Sequence, residues 1–345
     1  MSIYLKKGQP NVAAVLQSRE DEGSLFQSLP VDLKMAVFSL LDAKSLCLAC
    51  CVCREWRIIS SDNSLWRRLL QRDIRQWSQI SNVTNPRLYL EMDSDWSQKE
   101  IYLKCSPVVQ QQLKVATSTF QQVSSYLKSF IPRKVPKVAM FGPGLETSTS
   151  GVVRRILYEE NNIFRRIALF PGQFDGVGGG MTLRLPSRHT LHLSVLYSAS
   201  KQERERREGH DRLEGNKLLQ KRDGDQNHPE CQVSQYELKP QIRHLCMTLD
   251  AFIFVVDATQ TQETVSASCA ELQAMLRERK FGLVPVLILS CVPRPEDVRL
   301  SADDVVSCLK METLTQPWLV INCVTETLAS IDQGIVWLVE QAQIR

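Results

Sequence analysis

Residues 28–66 read SLPVDLKMAVFSLLDAKSLCLACCVCREWRIISSDNSLW, and the N-terminal fold can be inferred from them. Pro30 can occupy the first turn of a helix, where its missing N–H costs nothing, and the apolar residues after it recur at helical spacing. Asp42 can cap a second helix, Arg54 begins a third, and Asp62 can cap a fourth. Short helices within about forty residues cannot bury all their apolar faces among themselves. The stretch therefore predicts a small helical unit that needs a protein partner.

The order of these features resembles the F-box. An LP pair, an apolar run that ends at Leu40-Leu41, the segment CVCREW and a later Leu65-Trp66 coincide in order. The resemblance implies binding to an Skp-type adaptor, which connects to a cullin and its RING subunit. The alternative is a helical subdomain that packs only on its own chain. Spacing does not separate interface from core among the candidate adaptor-binding residues: Leu29, Pro30, Leu33, Leu40, Leu41, Leu46, Trp56 and Trp66.

Composition excludes several classes of function. The 345 residues carry 42 basic and 38 acidic side chains and a net charge of +4, which is too balanced for the concentrated basic face that nucleic acid requires. No apolar run approaches the ~20 residues of a membrane span, and the first residues lack the apolar core of a signal peptide. We expect no direct binding to nucleic acid or membrane and a cytoplasmic or nuclear protein whose eleven cysteines are reduced.

A cysteine cluster raises the question of zinc. Its members are Cys47, Cys50, Cys51 and Cys53. A structural zinc site needs a second pair of ligands, whereas the next cysteine is Cys105 and the first histidine is His189. Helical spacing makes most of these cysteines small apolar residues on one face. We therefore predict no metal site and no cofactor.

The chain divides into four predicted regions: a flexible N-terminus at 1–24, the F-box at 25–73, a helical linker at 74–134 and an α/β domain at 135–345. In the linker, a helix from Val108 to Phe130 carries a heptad-like apolar seam. This seam packs either on the chain's own domains or in a homodimer.

The α/β domain is predicted from continuous apolar runs that alternate with amphipathic stretches. The predicted strands are 138–141, 251–258, 285–291 and 317–324, with a hairpin at 180–197 and helices around 263–280, 303–312 and 328–342. Such runs favour a mostly parallel sheet that is covered on both faces. The fold class is therefore α+β multidomain, with an all-α F-box, a helical linker and a C-terminal α/β domain.

The element order after Lys137 resembles a small GTPase whose chemistry is missing. A P-loop reads GxxxxGK[ST] and cradles phosphate, but the run at 142–149 is GPGLETST. Serine replaces the lysine, and Glu146 places a negative charge beside the phosphate position. The residues of this degenerate P-loop, predicted not to bind nucleotide, are Gly142, Gly144, Ser148 and Thr149.

The sequence motifs with which a GTPase senses magnesium and reads guanine are also lost. Residues 196–200 read LYSAS where a GTPase has Asp-x-x-Gly, and residues 290–295 read SCVPRP where it has Asn-Lys-x-Asp. Phosphoryl transfer depends on positioning and charge stabilisation, so losing these groups together removes the catalyst. An active nucleotide-binding switch remains the alternative.

An F-box joined to an eroded GTPase-like domain resembles the family of F-box only protein four. The shared motifs are AMFGPGLE at 139–146, DGVGGG and the hairpin at 175–197, KQERERREGH at 201–210, and PWLV with GIVWLVE within 317–340. The resemblance implies a non-catalytic substrate receptor of an Skp–cullin–F-box ubiquitin ligase that directs substrates to proteasomal degradation. It also implies D-type cyclins and a telomere-repeat-binding factor as substrates. A scaffold that acts outside a ligase is a further alternative.

Substrate binding is predicted at an edge of the sheet. In a GTPase-like strand order the first hairpin strand lies at the edge and offers unpaired backbone groups to an incoming chain. The predicted substrate-binding residues are Met181, Thr182, Leu183, Arg184 and Leu185.

Overall fold

A computed structural model describes Phe26 and residues 28–91, 96–112, 134–158, 163–170, 177–187, 189–199, 216–221, 236–278 and 284–343. These residues form two compact units. One contains the described residues up to 72 together with 97–99, and the other contains residues 73–96 and those from 100 onward. The predicted N-terminal region 1–24 lies outside the described residues, as does most of the predicted helix 108–130, of which residues up to 112 are helical.

The first unit is a bundle of short helices, as its sequence predicts. The helices are α1 Val31–Phe38, α2 Ala43–Ala49, α3 Arg54–Ser60 and α4 Asn63–Asp73. Asp42 caps α2, since its side chain accepts a hydrogen bond from the Ser45 backbone N–H at 2.8 Å. Pro30 lies one residue before α1, at the N-cap position, where the absence of an N–H still costs nothing.

Aromatic side chains fill the interior of this bundle. The rings of Phe26, Phe38 and Trp56 pack at centroid distances of 5.2 to 6.1 Å. Trp66 is fully buried, and its indole N–H donates to the Ser60 carbonyl at 2.7 Å. A buried indole with a satisfied N–H packs without loss of hydrogen bonding, so α4 is fixed against α3.

The second unit is built on an eight-stranded sheet of order β1-β10-β9-β8-β2-β5-β4-β3. The strands are β1 Gln79–Ser81, β2 Lys137–Phe141, β3 Arg165–Phe170, β4 Val177–Arg184, β5 Thr190–Leu196, β8 Ala251–Asp257, β9 Val286–Val292 and β10 Trp318–Val324. The central pairings from β5 to β10 are parallel, and the pairings at both ends are antiparallel. The predicted mostly parallel sheet is confirmed.

Helices lie between the strands along the chain. They are α5 Pro86–Glu91, α6 Gln98–Cys105, α7 Gly151–Tyr158, α8 Pro240–Thr248, α9 Gln262–Ala267, α10 Cys269–Arg277, α11 Ala302–Cys308 and α12 Ile331–Gln343. The first two residues of α6 belong to the first unit. A separate two-stranded sheet pairs β6 Leu219–Lys221 with β7 Tyr236–Leu238. Strands β8 and β9 are buried along their whole length, which explains their continuous apolar sequences.

The predicted linker contains a strand of the main sheet. Strand β1 pairs antiparallel with β10, and Ile80 in β1 is fully buried. Arg87 then bonds to Asp303 and Ser307 of α11 and to Glu312. The first part of the linker is therefore an edge of the α/β unit, although its sequence was predicted as helical.

The prediction that Met181–Leu185 forms the edge of the sheet was wrong. Strand β4 carries most of this segment and lies between β5 and β3, which makes β3 the terminal strand. Thr182 pairs with Ala168 on one side and His192 on the other, and its side chain is buried. The backbone groups of this segment are engaged in the sheet, so the argument that chose it for substrate binding does not apply.

Candidate functional site

The helical unit presents large apolar side chains to solvent. We call them the exposed apolar set: Val31, Leu33, Val37, Leu40, Leu48, Val52 and Ile58. Leu40 is 81% exposed and Ile58 is 75% exposed. Single exposed apolar residues are common, but so many within one small bundle are typical of a surface that a partner covers.

The structure sorts the eight predicted adaptor-binding residues by their exposure. Leu46 and Trp66 are buried core residues, while Leu29, Leu41 and Trp56 are half-buried. Leu33, Leu40 and Pro30 are exposed. The core members support the bundle, whereas the exposed members are available to a partner.

Sequence reasoning missed five members of the exposed apolar set. The apolar spacing that predicts a helix does not say which face is covered, so the candidate adaptor-binding residues did not include Val31, Val37, Leu48, Val52 and Ile58. Lys34 shows the difficulty, since this charged side chain is buried on α1 and its ammonium lies 2.5 Å from the Glu55 carboxylate of α3. Burial of a paired lysine on the inner face leaves apolar residues of the same helix outside.

The degenerate P-loop packs closely against strand β8. Gly142 has a φ of +119°, and a Cβ there would lie 2.6 Å from the Val255 carbonyl oxygen. A Cβ on Gly144 would lie 2.7 Å from a methyl group of Val255. Both glycines are needed for this close approach. The turn Pro143–Leu145 is buried, so this part of the loop is covered by the protein itself.

Glu146 connects the degenerate P-loop to the segment that stands in place of the Asp-x-x-Gly motif. Its carboxylate accepts hydrogen bonds from the Ser198 backbone N–H at 2.6 Å and from the Ser198 hydroxyl at 2.7 Å. Ser198 lies in the segment that replaces Asp-x-x-Gly. Hydrogen bonds to a charged acceptor are among the strong ones, so this contact fastens the loop to the end of β5.

Ser148, at the position of the P-loop lysine, bonds to the end of β8. Its hydroxyl donates to Asp257 at 2.7 Å, and the Thr259 hydroxyl donates to the same carboxylate at 2.6 Å. Burial opposes ionisation of Asp257, but the hydrogen bonds from Thr259 and Ser148 outweigh it and hold the pKa of this carboxyl below its ordinary value. The carboxylate is thus satisfied by the protein's own hydroxyl groups.

Arg299 bonds to Ser290, which lies in the segment where a GTPase would read guanine. The Arg299 guanidinium donates to the Ser290 carbonyl oxygen at 2.5 Å and lies 3.3 Å from the Ser290 hydroxyl. Burial lowers the pKa of Arg299. Together with Glu146 and Ser148, Arg299 directs the polar groups at the carboxyl end of the sheet toward other groups of the same chain.

The terminal strand β3 is a second candidate surface. All six of its residues are exposed, and three are large apolar residues: Ile167, Leu169 and Phe170. Arg165 and Arg166 lie at its beginning, and Arg165 pairs in register with Arg184 of β4. A terminal strand has backbone groups that an incoming strand can pair with. This edge was missed, although an apolar run followed by Pro171-Gly172 is a strand-and-turn signal.

Metal-ligating clusters and membrane-spanning helices can be assessed in the described residues. In these ranges no three histidine, cysteine or acidic side chains gather as a metal site requires. Over the same ranges, no helix has the length and hydrophobicity to cross a bilayer.

Two family models match separate parts of the chain. An F-box-like model matches residues 26–72, which include all four helices of the bundle except the last residue of α4. A model of the ADP-ribosylation factor family matches residues 234–342, from β7 to α12. The predicted F-box and GTPase-like regions are both confirmed at this level.

Curated proteins extend the similarity to nearly the whole chain. F-box only protein 4 of Bos taurus is 28% identical over 361 residues and aligns with 99% of this chain and 89% of its own length. F-box only protein 4 of Mus musculus is 29% identical over 335 residues, with 94% and 86% covered. The F-box and WD repeat domain-containing 11-A of Danio rerio is 51% identical, but over only 57 residues, or 16% of this chain. The chain therefore contains an F-box-like region and is similar, along nearly its whole length, to F-box only protein 4.

Proposed function

We propose that this protein is the substrate-recognition subunit of an Skp–cullin–F-box ubiquitin ligase. The exposed apolar set carries the proposal, because it lies within the region matched by the F-box-like model. Large apolar anchors at the centre of an interface provide most of the binding energy. The Skp-type adaptor is the proposed partner of this surface and brings the cullin and RING subunits. Location in the cytoplasm or nucleus remains part of the proposal.

We further propose that the α/β domain holds the substrate and binds no nucleotide. Glu146, Ser148 and Arg299 bond to groups of the chain itself where a GTPase would bind phosphate, magnesium and guanine. Ubiquitin transfer then belongs to the partner enzymes, and this chain selects what is degraded. The loss of the P-loop lysine argues against the alternative of a nucleotide-driven switch.

We propose the outer edge of β3, in place of Met181–Leu185, as the substrate-binding surface. An extended segment can pair with its outer edge, while side-chain contacts decide which segment is accepted. Arg165, Arg166 and Arg184 favour acidic residues at one end of that segment, and Ile167 to Phe170 favour apolar residues at the other. The first substrates to examine are a D-type cyclin and a telomere-repeat-binding factor, the two classes implied by the family resemblance.

A reconstituted ubiquitination assay with full-length chain tests both surfaces separately. The double substitution Leu33→Ser with Leu40→Ser should abolish binding to the adaptor–cullin complex, since it removes two exposed anchors. The double substitution Ile167→Lys with Leu169→Lys should preserve adaptor binding and abolish substrate ubiquitination. Val298→Ser is the matched control, because Val298 is 90% exposed and lies outside both surfaces.

The adaptor-binding test and the substrate test each have an outcome that would contradict the proposed surface. Adaptor binding that survives in the folded Leu33 and Leu40 double variant would exclude the exposed apolar set as the adaptor-binding surface. A lack of adaptor binding by the unmodified chain would exclude the receptor assignment and favour a helical subdomain that packs only on its own chain. Unchanged substrate modification by the β3 variant would exclude this edge alone. Adaptor binding without recruitment of the cullin would favour the scaffold alternative.

Calorimetry separates the receptor from the nucleotide switch. Titration of the full-length chain with GTP and magnesium should give no heat of binding, and a micromolar dissociation constant would contradict the nucleotide-free proposal. The full chain is required, because a fragment that starts at residue 134 would lack β1 and leave the edge of β10 unpaired.

A further inference from the structure

Two aromatic rings of the second unit share one ammonium group. The rings of Tyr89 and Trp96 lie 5.4 Å apart at an interplanar angle of 44°. The Lys104 ammonium of α6 lies 5.2 Å from the Tyr89 centroid and 4.6 Å from the Trp96 centroid. Both distances fall within the ~6 Å range of cation–π attraction. This arrangement is a two-ring clamp that holds a cation supplied by the chain itself.

The elements beside this clamp are anchored. The Tyr89 hydroxyl donates to the Val83 carbonyl at 2.8 Å, and Arg87, on the same helix as Tyr89, bonds to Asp303 of α11 at 3.2 Å. In α6, the Tyr102 hydroxyl donates to the Asp73 carboxylate at 2.6 Å. The elements that carry Tyr89 and Lys104 are therefore fixed, and prior positioning lowers the ordering cost of binding a ligand.

The clamp remains reachable from solvent. Trp96 is 41% exposed, while Tyr89 and Lys104 are half-buried. A cation–π contact at such a position changes an equilibrium only about two- to fivefold. Lys104 also has a long, flexible side chain whose compact ammonium is strongly hydrated. Lys104 can therefore exchange between the rings and water, and another cation can compete with it for the same contacts.

We propose that Tyr89 and Trp96 form a binding site for a methylated lysine side chain of a partner protein, and that Lys104 occupies this site in the free protein. Methylation keeps the positive charge and weakens hydration, and aromatic clamps are a known way of recognising such cations. The methylated lysine side chain of the partner would thus replace the more strongly hydrated ammonium of Lys104. The three residues lie outside both the exposed apolar set and β3, so this site is independent of the proposed receptor function.

The test uses full-length chain labelled with 5-fluorotryptophan and titrated with N-acetyl-trimethyllysine methylamide. The fluorine signal of Trp96 is assigned by its loss in Trp96→Phe. The ligand should shift this signal in a saturable way, and Lys104→Gln should tighten binding by about fivefold, because the internal competitor is gone. Lys104→Arg should bind like the wild type, since the cation is retained. Lys134→Gln is the control for charge loss elsewhere.

Three results would overturn the proposal. The first is a Trp96 signal in Lys104→Gln that does not respond to the ligand. The second is equal affinity for the neutral tert-butyl analogue, because apolar contact alone would then explain binding. The third is undiminished binding by a folded Tyr89→Leu variant, judged folded by the same thermal unfolding midpoint as Lys134→Gln. Tyr89→Leu removes one ring of the pair and tests the clamp without deleting the reporting tryptophan.

Discussion

The helical bundle and the carboxyl end of the sheet direct their side chains in opposite ways. The bundle leaves large apolar residues such as Leu40 and Ile58 in solvent. The sheet end turns its polar residues inward, so that Glu146 bonds to Ser198 and Ser148 bonds to Asp257. Apolar surface in water is unfavourable unless a partner covers it, whereas satisfied polar groups need no ligand. The difference supports the proposals that the bundle is a contact surface and that the sheet end binds no nucleotide.

The largest effect is expected from breaking the core of the bundle. Trp66→Ala should lower the free energy of unfolding of the bundle by about 3–5 kcal/mol, since it leaves a large cavity. Amide hydrogen exchange should then show loss of protection in α1–α4. The control Leu40→Ser should change stability by no more than about 0.5 kcal/mol. Equal destabilisation by the two substitutions would contradict the division into core and surface.

The next effect concerns the close packing of the degenerate P-loop. Gly142→Ala should cost about 2–3 kcal/mol, because it adds a Cβ at positive φ where the Val255 carbonyl oxygen would be 2.6 Å away. Urea unfolding measured on the α/β unit gives the value. Gly151→Ala is the matched control, since its Cβ would meet only a methyl group of Thr325 at 3.7 Å. A neutral Gly142→Ala would mean that the loop is not packed on β8.

A smaller effect is expected from the contact that closes the eroded site. Ser198→Ala removes a hydroxyl donor to the Glu146 carboxylate and should cost about 1.5–3 kcal/mol, the usual range for a hydrogen bond to a charged group. The backbone N–H of residue 198 still donates, so folding should survive. Thermal unfolding provides the measurement. The variant should bind GTP no better than the wild type, and acquired nucleotide binding would show that this contact alone keeps the site closed.

The smallest effect is a pH dependence at Asp257. Its pKa is lowered in the folded state, so its contribution to stability is present above the unfolded pKa of about 4 and is lost as pH falls through the folded pKa. Wild type should therefore be more stable than Asp257→Asn at pH 7, and the difference should narrow below about pH 4. Chemical unfolding at several pH values tests this. A difference that grows on acidification would contradict the sign.

Asp303 provides an internal contrast for that experiment. Burial raises the pKa of Asp303 despite the nearby Arg87, so its ionised form is the less favourable one in the folded protein. The stability difference between wild type and Asp303→Asn should thus move with pH in the direction opposite to that of Asp257→Asn. The same trend for both variants would mean that general acid unfolding, rather than these carboxyl groups, controls the result.

Helices and central strands were predictable because their signals are local. Asp42 caps α2 as predicted, and β8 coincides with the apolar run predicted at 251–258 within one residue. Strand β1 was not predictable, because its three residues pair with β10, which lies more than two hundred residues away in the chain. The edge of the sheet was placed wrongly for a related reason, since the pairing of β3 with β4 determines which strand is terminal.

The F-box, the GTPase-like element order and the loss of the P-loop lysine were predictable from the amino-acid sequence, because each depends on which residue stands at a given spacing. Tertiary structure alone decided which leucines of the bundle face solvent, which strand ends the sheet, and how Glu146 meets Ser198 across 52 positions of the chain. Periodicity specifies that a helix or strand has an apolar face. It does not specify what covers that face, since coverage depends on contacts between segments that are distant in sequence.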